Sequence, residues 1–118
     1  MLWNIEFYQS GNGKFPVEEF IKSLEAKSQA RIARTLDLLE EFGIELGMPY
    51  TKYLKKQLWE LRIRVGRNRY RIIYFLPSGK TFILLHGFSK KTDAISRADI
   101  EIANNRRDDY LSRRSKGI

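Results

Sequence analysis

The chain has 118 residues, of which 42% are hydrophobic and 13% aromatic, and this is enough apolar side chain to build the core of one domain. It contains no cysteine and one histidine, which excludes disulfides, thiolate metal sites and a zinc site built from several histidines of one chain. No apolar run approaches the roughly 18 residues of a membrane span, and the N-terminus lacks the pattern of a signal peptide, so we expect a cytoplasmic protein with no membrane partner.

The formal charge of +8 is distributed unevenly along the chain. Residues 1–51 carry five Lys or Arg against eight Asp or Glu, a net charge of −3, whereas residues 52–118 carry 17 against six, a net charge of +11. Residues 52–71 alone hold eight basic residues and one acid, a net charge of +7. This density of positive charge favours a polyanionic partner, most simply nucleic acid.

The first part of the chain predicts one strand and two helices. Residues 2–8 are apolar and aromatic and should form a strand that joins a later sheet, because an isolated strand cannot bury its face. Pro16 suits the first turn of a helix. Residues 28–42 carry apolar side chains at helical spacing, and Gly43 is placed to end that second helix. The two helices are expected to form a hairpin.

The middle of the chain predicts a loop and then three strands. Residues 47–54 show no clear period and are predicted to be a loop that brings lysines to the edge of a basic face. Segments 58–65, 69–75 and 80–88 follow, separated by turn residues, and these segments predict an antiparallel meander. In segment 58–65 apolar and charged residues alternate, so one face should be core and the other basic.

The last part of the chain predicts a helix that starts after Ser96. Ser96 and Asp99 have the spacing of a capping box, and the helix is expected to run to about Leu111. A single domain should therefore cover residues 1–112, followed by a basic tail at 113–118. The predicted order is β-α-α-β-β-β-α, an α+β fold whose antiparallel sheet carries the two-helix hairpin on one face and a C-terminal helix.

Four arginines are the strongest candidates for contact with a polyanion. Arg62 and Arg64 share one side of the first meander strand. Hairpin pairing would bring Arg69 and Arg71 alongside them. A solvated strand face is the alternative interpretation, but guanidinium groups bind phosphate through two parallel hydrogen bonds and stack on rings, and this favours nucleic acid.

His86 and Phe88 each allow two interpretations. His86 is expected to share a face with Phe82 and Leu84, which favours a buried core histidine. It also lies four residues before Lys90, where a proton donor beside phosphate ligands would be placed. Phe88 fits a core aromatic better than the alternative, a platform on which a base stacks.

The chain resembles a known family through motifs spread along most of its length. These motifs are Phe15-Pro16-Val17-Glu18-Glu19-Phe20, Leu58-Trp59-Glu60-Leu61-Arg62, Tyr70-Arg71-Ile72-Ile73-Tyr74, Leu84-Leu85-His86-Gly87-Phe88-Ser89-Lys90-Lys91-Thr92, and Ala103 with Arg106, Asp109 and Tyr110. Together they are similar to the RelE/HigB superfamily of bacterial toxins, and more narrowly to its phage-related HigB-type branch.

The resemblance implies a toxin of a type II toxin-antitoxin system. Such a protein is a ribosome-dependent endoribonuclease that cuts translated mRNA and is neutralised by a helix-turn-helix antitoxin. The catalytic arginines of the family match Arg62 and Arg71, and a further basic position falls on Lys90 or Lys91. Glu60 stands where the archetype has a catalytic lysine.

The predicted reaction is attack of the ribose 2′-OH on the adjacent phosphate, which needs neither a metal nor another cofactor if cations stabilise the phosphorane. Glu60 would act as a base if it is exposed to the site, and Arg71→Ala is expected to change stability little. The candidate catalytic residues are Arg62, Arg71, His86, Lys90, Lys91 and Glu60. The candidate RNA-binding residues are Lys55, Lys56, Arg64, Arg67, Arg69 and Phe88. The rival functions are a ParE-like inhibitor of DNA gyrase and a nucleic-acid-binding module without catalysis.

Overall fold

The computed structural model describes residues 2–92 and 94–116. This part of the chain contains five strands and three α-helices, which confirms the predicted α+β class. The elements in chain order are β1 (Asn4–Phe7), α1 (Pro16–Lys22), α2 (Ala26–Phe42), a short 3-10 helix (Gly43–Glu45), β2 (Thr51–Lys55), β3 (Leu58–Val65), β4 (Asn68–Ser78), β5 (Thr81–Ser89) and α3 (Arg97–Lys116). No helix in the described ranges is long and apolar enough to cross a membrane.

The five strands form one sheet in the order β1-β5-β4-β3-β2. Strands β2 to β5 pair antiparallel with their neighbours, which confirms the predicted meander. Strand β1 also joins the sheet as predicted, but it pairs with β5 in parallel, from Asn4 opposite Thr81 to Phe7 opposite Leu84. The sheet is therefore mixed at this edge.

The predicted loop over residues 47–54 is wrong in its second half, because Thr51–Lys55 forms strand β2. Thr51 lies opposite Leu61 and Tyr53 lies opposite Trp59, where the two aromatic rings pack edge to face with centroids 5.1 Å apart. The segment is too short to show a period, so the partner strand and this cross-strand ring contact determine its conformation. Lysines 55 and 56 then lie on the hairpin between β2 and β3.

The two faces of the sheet bury different sets of apolar side chains. On one face Leu61, Ile63 and Ile72 pack against α1 and α2, which contribute Val17 and Ile32. On the other face Leu58, Ile73, Phe75 and Leu85 pack with Ala103 of α3. Helix α3 contacts mainly β5 and β4. Helix α3 therefore does not cover the end of β3 on this second face, and charged side chains occupy that part of the face.

Helix α3 begins as predicted and ends later. The backbone N–H of Asp99 donates to Ser96 Oγ at 3.1 Å, as a capping box requires. The helix continues through Lys116, so residues 113–116, which the sequence predicts as a tail, are helical. Arg113 bonds to Asp109 at 2.7 Å one turn earlier and to the carbonyl of Gln9, and these contacts extend the helix. Residues 117–118 of the predicted tail lie outside the described part.

Gly43 ends α2 as predicted, and its backbone and surroundings both demand glycine. Its φ is +58° with ψ −132°, and a Cβ built there would overlap the ring of Trp3. Gly43→Ala should lower the free energy of unfolding by roughly 2–4 kcal/mol, because strain and overpacking add. Urea denaturation measures this change. Gly11→Ala is the control, since no atom lies within 4 Å of its Cβ position, and equal stability of the two variants would contradict the prediction.

Candidate nucleic-acid site

The pairing of β3 with β4 assembles the four predicted arginines on one face. Arg62 lies directly opposite Arg71, and Arg64 lies directly opposite Arg69. Residues opposite each other in an antiparallel pair point to the same side, and the apolar neighbours occupy the other side. The expectation that the hairpin brings these arginines alongside one another is therefore confirmed.

A buried carboxylate holds two of these arginines. Glu60 is 2% exposed, and its Oε2 accepts a hydrogen bond from Arg62 Nη1 at 3.3 Å. Its Oε1 lies 3.4 Å from Arg71 Nε, an ion pair that is less well aligned than a hydrogen bond. Since both oxygens face guanidinium groups and neither is open to solvent, the condition under which Glu60 was expected to act as a base is not met.

Arg71 is almost as buried as Glu60, with 4% of its surface exposed. Its Nη1 donates to the backbone carbonyl of Tyr70 at 3.0 Å. Burial lowers the pKa of Arg71, the charge of Glu60 opposes that shift, and the charges of Arg62 and Arg69 add to it. Arg71 is therefore not an exposed charge, and the reason to expect that Arg71→Ala changes stability little does not hold.

The structure separates Lys90 from Lys91. The backbone N–H of Lys90 donates to the carbonyl of Arg69 at 2.7 Å, and this bond continues the strand pairing past the end of β5. Partial burial lowers the pKa of the Lys90 amine, the positive charges of Arg71, Arg62 and Arg69 lower it further, and Glu60 opposes them. Lys91 is exposed. Lys90 is therefore partly buried and bonded to the strand that carries Arg69 and Arg71, whereas its neighbour is exposed.

A β-bulge moves His86 to the face opposite to the predicted one. Leu84 pairs with Tyr74 and His86 pairs with Ile73, so the alternation of β5 shifts by one residue. His86 consequently faces α3 rather than sharing the face of Phe82 and Leu84, which are buried on the α1 and α2 side. Simple alternation along β5 does not reveal this change.

Both ring nitrogens of His86 have partners on α3. Nε2 lies 2.7 Å from Asp99 Oδ1, and Nδ1 lies 3.5 Å from Arg106 Nη1. Burial lowers the pKa of His86, Asp99 opposes that shift, and Arg106 adds to it. The ring stacks on Phe88, which packs partly against the α3 core and lies opposite Arg71. This environment favours the core interpretation of His86 and Phe88.

The predicted RNA-binding lysines lie away from the arginines. Lys55 and Lys56 are exposed at the start of β3, whereas Arg67 is exposed on the turn at its other end. The backbone carbonyl of Lys56 accepts a hydrogen bond from Arg107 of α3. Arg67 therefore adjoins the arginine cluster, and the two lysines form a separate basic projection.

A cleft of about 340 Å³ crosses the edge of β3 beyond the end of β2. Of the described residues that line the cleft, five are arginines and none is acidic. The lining residues are Arg31, Thr35, Pro49, Tyr50, Arg62, Ile63, Arg64, Arg69 and Arg71. The sequence does not predict Arg31 or Tyr50 as site residues, because only the packing of α2 and the path of the loop before β2 bring them there.

A protein-family model matches most of the chain. Its description is "Phage derived protein Gp49-like (DUF891)", and it matches residues 19–108. The matched range starts within α1 and ends within α3, and it contains the whole cleft together with Glu60, His86 and Lys90. A search of curated proteins found no match to the chain.

The Glu60–Arg71 pair should be strongly coupled in stability. Arg71→Ala is expected to lower the free energy of unfolding by about 3 kcal/mol, because it leaves a buried carboxylate with one partner. In a double-mutant cycle with Glu60→Ala, urea denaturation should show a coupling of about 2 kcal/mol. The exposed Asp109–Arg113 pair is the control and should couple by under ~1 kcal/mol. Additive effects at Glu60 and Arg71 would contradict the prediction.

Proposed function

Because the chain belongs to the Gp49-like family of phage-derived proteins, which is associated with toxins of toxin-antitoxin systems, we propose that it is a ribosome-dependent mRNA endoribonuclease. The observation that carries the proposal is the Arg62–Glu60–Arg71 arrangement, open to a cleft lined by further arginines. The buried carboxylate fixes two cations side by side before any substrate arrives. Fixed cations of this kind stabilise charge that develops in a transition state.

The reaction that suits this arrangement is transfer of the scissile phosphate to the neighbouring 2′-oxygen. The 2′-oxygen bonds to phosphorus, its proton passes to solvent, and the bond from phosphorus to the 5′-oxygen breaks. The products are a cyclic phosphate and a 5′-OH. Arg62 and Arg71 stabilise the phosphorane, and bound geometry on the ribosome aligns the 2′-oxygen with the leaving oxygen.

Lys90 is the proton donor in this proposal. Its backbone is bonded to Arg69, and its amine lies within the field of three arginines, so it is close to the phosphate that they would bind. An ammonium whose pKa is lowered gives its proton to the leaving 5′-oxygen more readily than an ordinary lysine does. Glu60 serves to position the two guanidiniums. His86, held by Asp99, supports the wall of the site.

The remaining basic residues suit the ribosome and the antitoxin. Lys55 and Lys56 project from the hairpin at the far end of β3, where they would contact ribosomal RNA. A helix-turn-helix antitoxin would neutralise the toxin with an acidic or amphipathic segment that covers the arginines or displaces α3. Displacement of α3 would break the His86–Asp99 bond. The activity requires translating ribosomes and hence a cytoplasmic location.

The decisive experiment maps mRNA 5′ ends after brief induction in a bacterium. The wild type should produce new ends inside translated codons. Arg62→Ala should reduce them by roughly 10²–10³-fold, as loss of one preorganised cation does. Arg34→Ala on the exposed surface of α2 is the control and should cleave normally. DNA breaks and an SOS response with intact mRNA would instead support inhibition of gyrase.

The assignment of Lys90 predicts a pH dependence. Only the protonated amine can donate, and its pKa is below the ordinary 10.5, so cleavage should decline as pH rises at a lower pH than an unperturbed lysine would give. Lys90→Ala should lose most of the cleavage rate, and its remaining rate should no longer decline in this alkaline range. The measurement is cleavage on purified programmed ribosomes across alkaline pH. Lys91→Ala, a change at the exposed neighbour, should retain the decline in cleavage at alkaline pH. A decline that persists in Lys90→Ala would exclude Lys90 as the proton donor.

A further inference from the structure

Arg31 of α2 and Tyr50 of the loop before β2 line the same cleft as Arg62 and Arg71, the arginines of the proposed reaction. Neither residue has a part in the proposed chemistry. The pairing of β2 with β3 ends at Thr51 opposite Leu61, and no residue of β2 pairs with Arg62. Arg31 and Tyr50 both lie beside β3 just beyond this end. Beyond Leu61 the edge of β3 therefore contacts Tyr50 and Arg31 instead of a further strand residue, through bonds to the N–H of Arg62 and the carbonyl of Arg64.

Tyr50 has a fixed backbone and an exposed ring. Its N–H donates to the carbonyl of Gly47 at 3.0 Å, and its own carbonyl accepts from the N–H of Arg62 at 2.7 Å. The residue as a whole is 38% exposed. A partly exposed ring on an anchored backbone costs little entropy when it stacks against a planar ligand.

Arg31 is anchored by one hydrogen bond to the described part of the chain, which leaves its other N–H groups for a ligand. Its Nη1 donates to the carbonyl of Arg64 at 3.0 Å, which takes one of five N–H groups. The acceptor is neutral, and within residues 2–92 and 94–116 no carboxylate forms an ion pair with Arg31, so its positive charge is available to the cleft. Helix α2 is fixed at this level by the fully buried Ile32 and by a 2.8 Å hydrogen bond between Ser28 and Tyr70. Arg31 therefore presents a positioned cation to the cleft.

We infer that Arg31 and Tyr50 form a subsite for the nucleotide next to the scissile phosphate in single-stranded RNA. Arg31 binds the phosphate of that nucleotide, and Tyr50 stacks on its base. A volume of about 340 Å³ is at the lower end of the roughly 300–1,000 Å³ of small-ligand sites, so it suits one nucleotide unit. A single strand is required because a base in a duplex is already stacked. This inference rests on the proposed nuclease function.

The subsite acts on binding rather than on the chemical step. Arg31 and Tyr50 would touch a part of the substrate that does not react, so their contacts are equally strong in the ground state and the transition state. Loss of such contacts raises KM and leaves kcat nearly unchanged. This split separates them from Arg62 and Arg71, whose loss lowers kcat.

The test compares Arg31→Gln, Tyr50→Leu and Tyr50→Phe with the matched control Arg34→Gln, which removes an exposed charge from the same helix outside the cleft. One assay measures the fluorescence anisotropy of a labelled 12-nucleotide RNA, single-stranded or in a duplex. The other measures kcat and KM for mRNA cleavage on programmed ribosomes. Thermal melting confirms that each variant is folded.

Arg31→Gln and Tyr50→Leu should each raise the Kd for the single strand and the KM about tenfold, within the range of one lost stacking or phosphate contact, with kcat within about twofold. Tyr50→Phe should bind better than Tyr50→Leu, because it keeps the ring. Binding to the duplex should not distinguish the variants.

Variants that bind and cleave like Arg34→Gln would overturn the subsite and leave the nuclease function intact. A loss confined to kcat would also overturn it. If the wild type does not cut translated mRNA, the proposed function fails, and the anisotropy assay still decides the subsite. Loss of RNA binding in Arg31→Gln and Tyr50→Leu would then support a single-stranded RNA site at these two residues, and its place next to a scissile phosphate would be overturned.

Discussion

The carboxylate of Glu60, buried between Arg62 and Arg71, is the interaction on which the site depends. Three charged groups at the edge of a core are costly to desolvate unless each has a partner, and here the single anion serves both cations. The attraction is stronger than it would be in water because few solvent dipoles screen it. The arrangement leaves one net positive charge with a defined orientation, which is what a phosphate requires.

Strand register places this cluster at a border. On the face that α3 covers, Glu60, Ile73 and His86 lie in one row across the sheet, and Arg62, Arg71 and Phe88 lie in the next. Apolar packing under α3 therefore meets the charged row directly. Helix α3 contacts mainly β4 and β5, so it buries one side of the cluster and leaves the other side accessible from the edge of β3.

The same border connects α3 to the site. Asp99 is bonded to Ser96 at the N-terminal end of α3 and also to His86, whose ring stacks on Phe88. The start of α3 and these two rings are therefore fixed together. A change in the position of α3 would therefore reach the arginines through packed side chains. If the proposed function holds, this continuity would let an antitoxin act on the arginines through α3 without contacting them.

Local patterns in the sequence determined much of the fold and the basic face. Alternation along residues 58–65 already separates Arg62 and Arg64 from the core face, and the capping box and Gly43 mark helix ends, because these features depend on neighbours a few residues apart. Only the tertiary structure decided that Glu60 is buried and that His86 faces α3, since ion pairing and a bulge depend on partner strands. The cleft also requires α2 to dock beside β3, a contact between segments that no local pattern encodes.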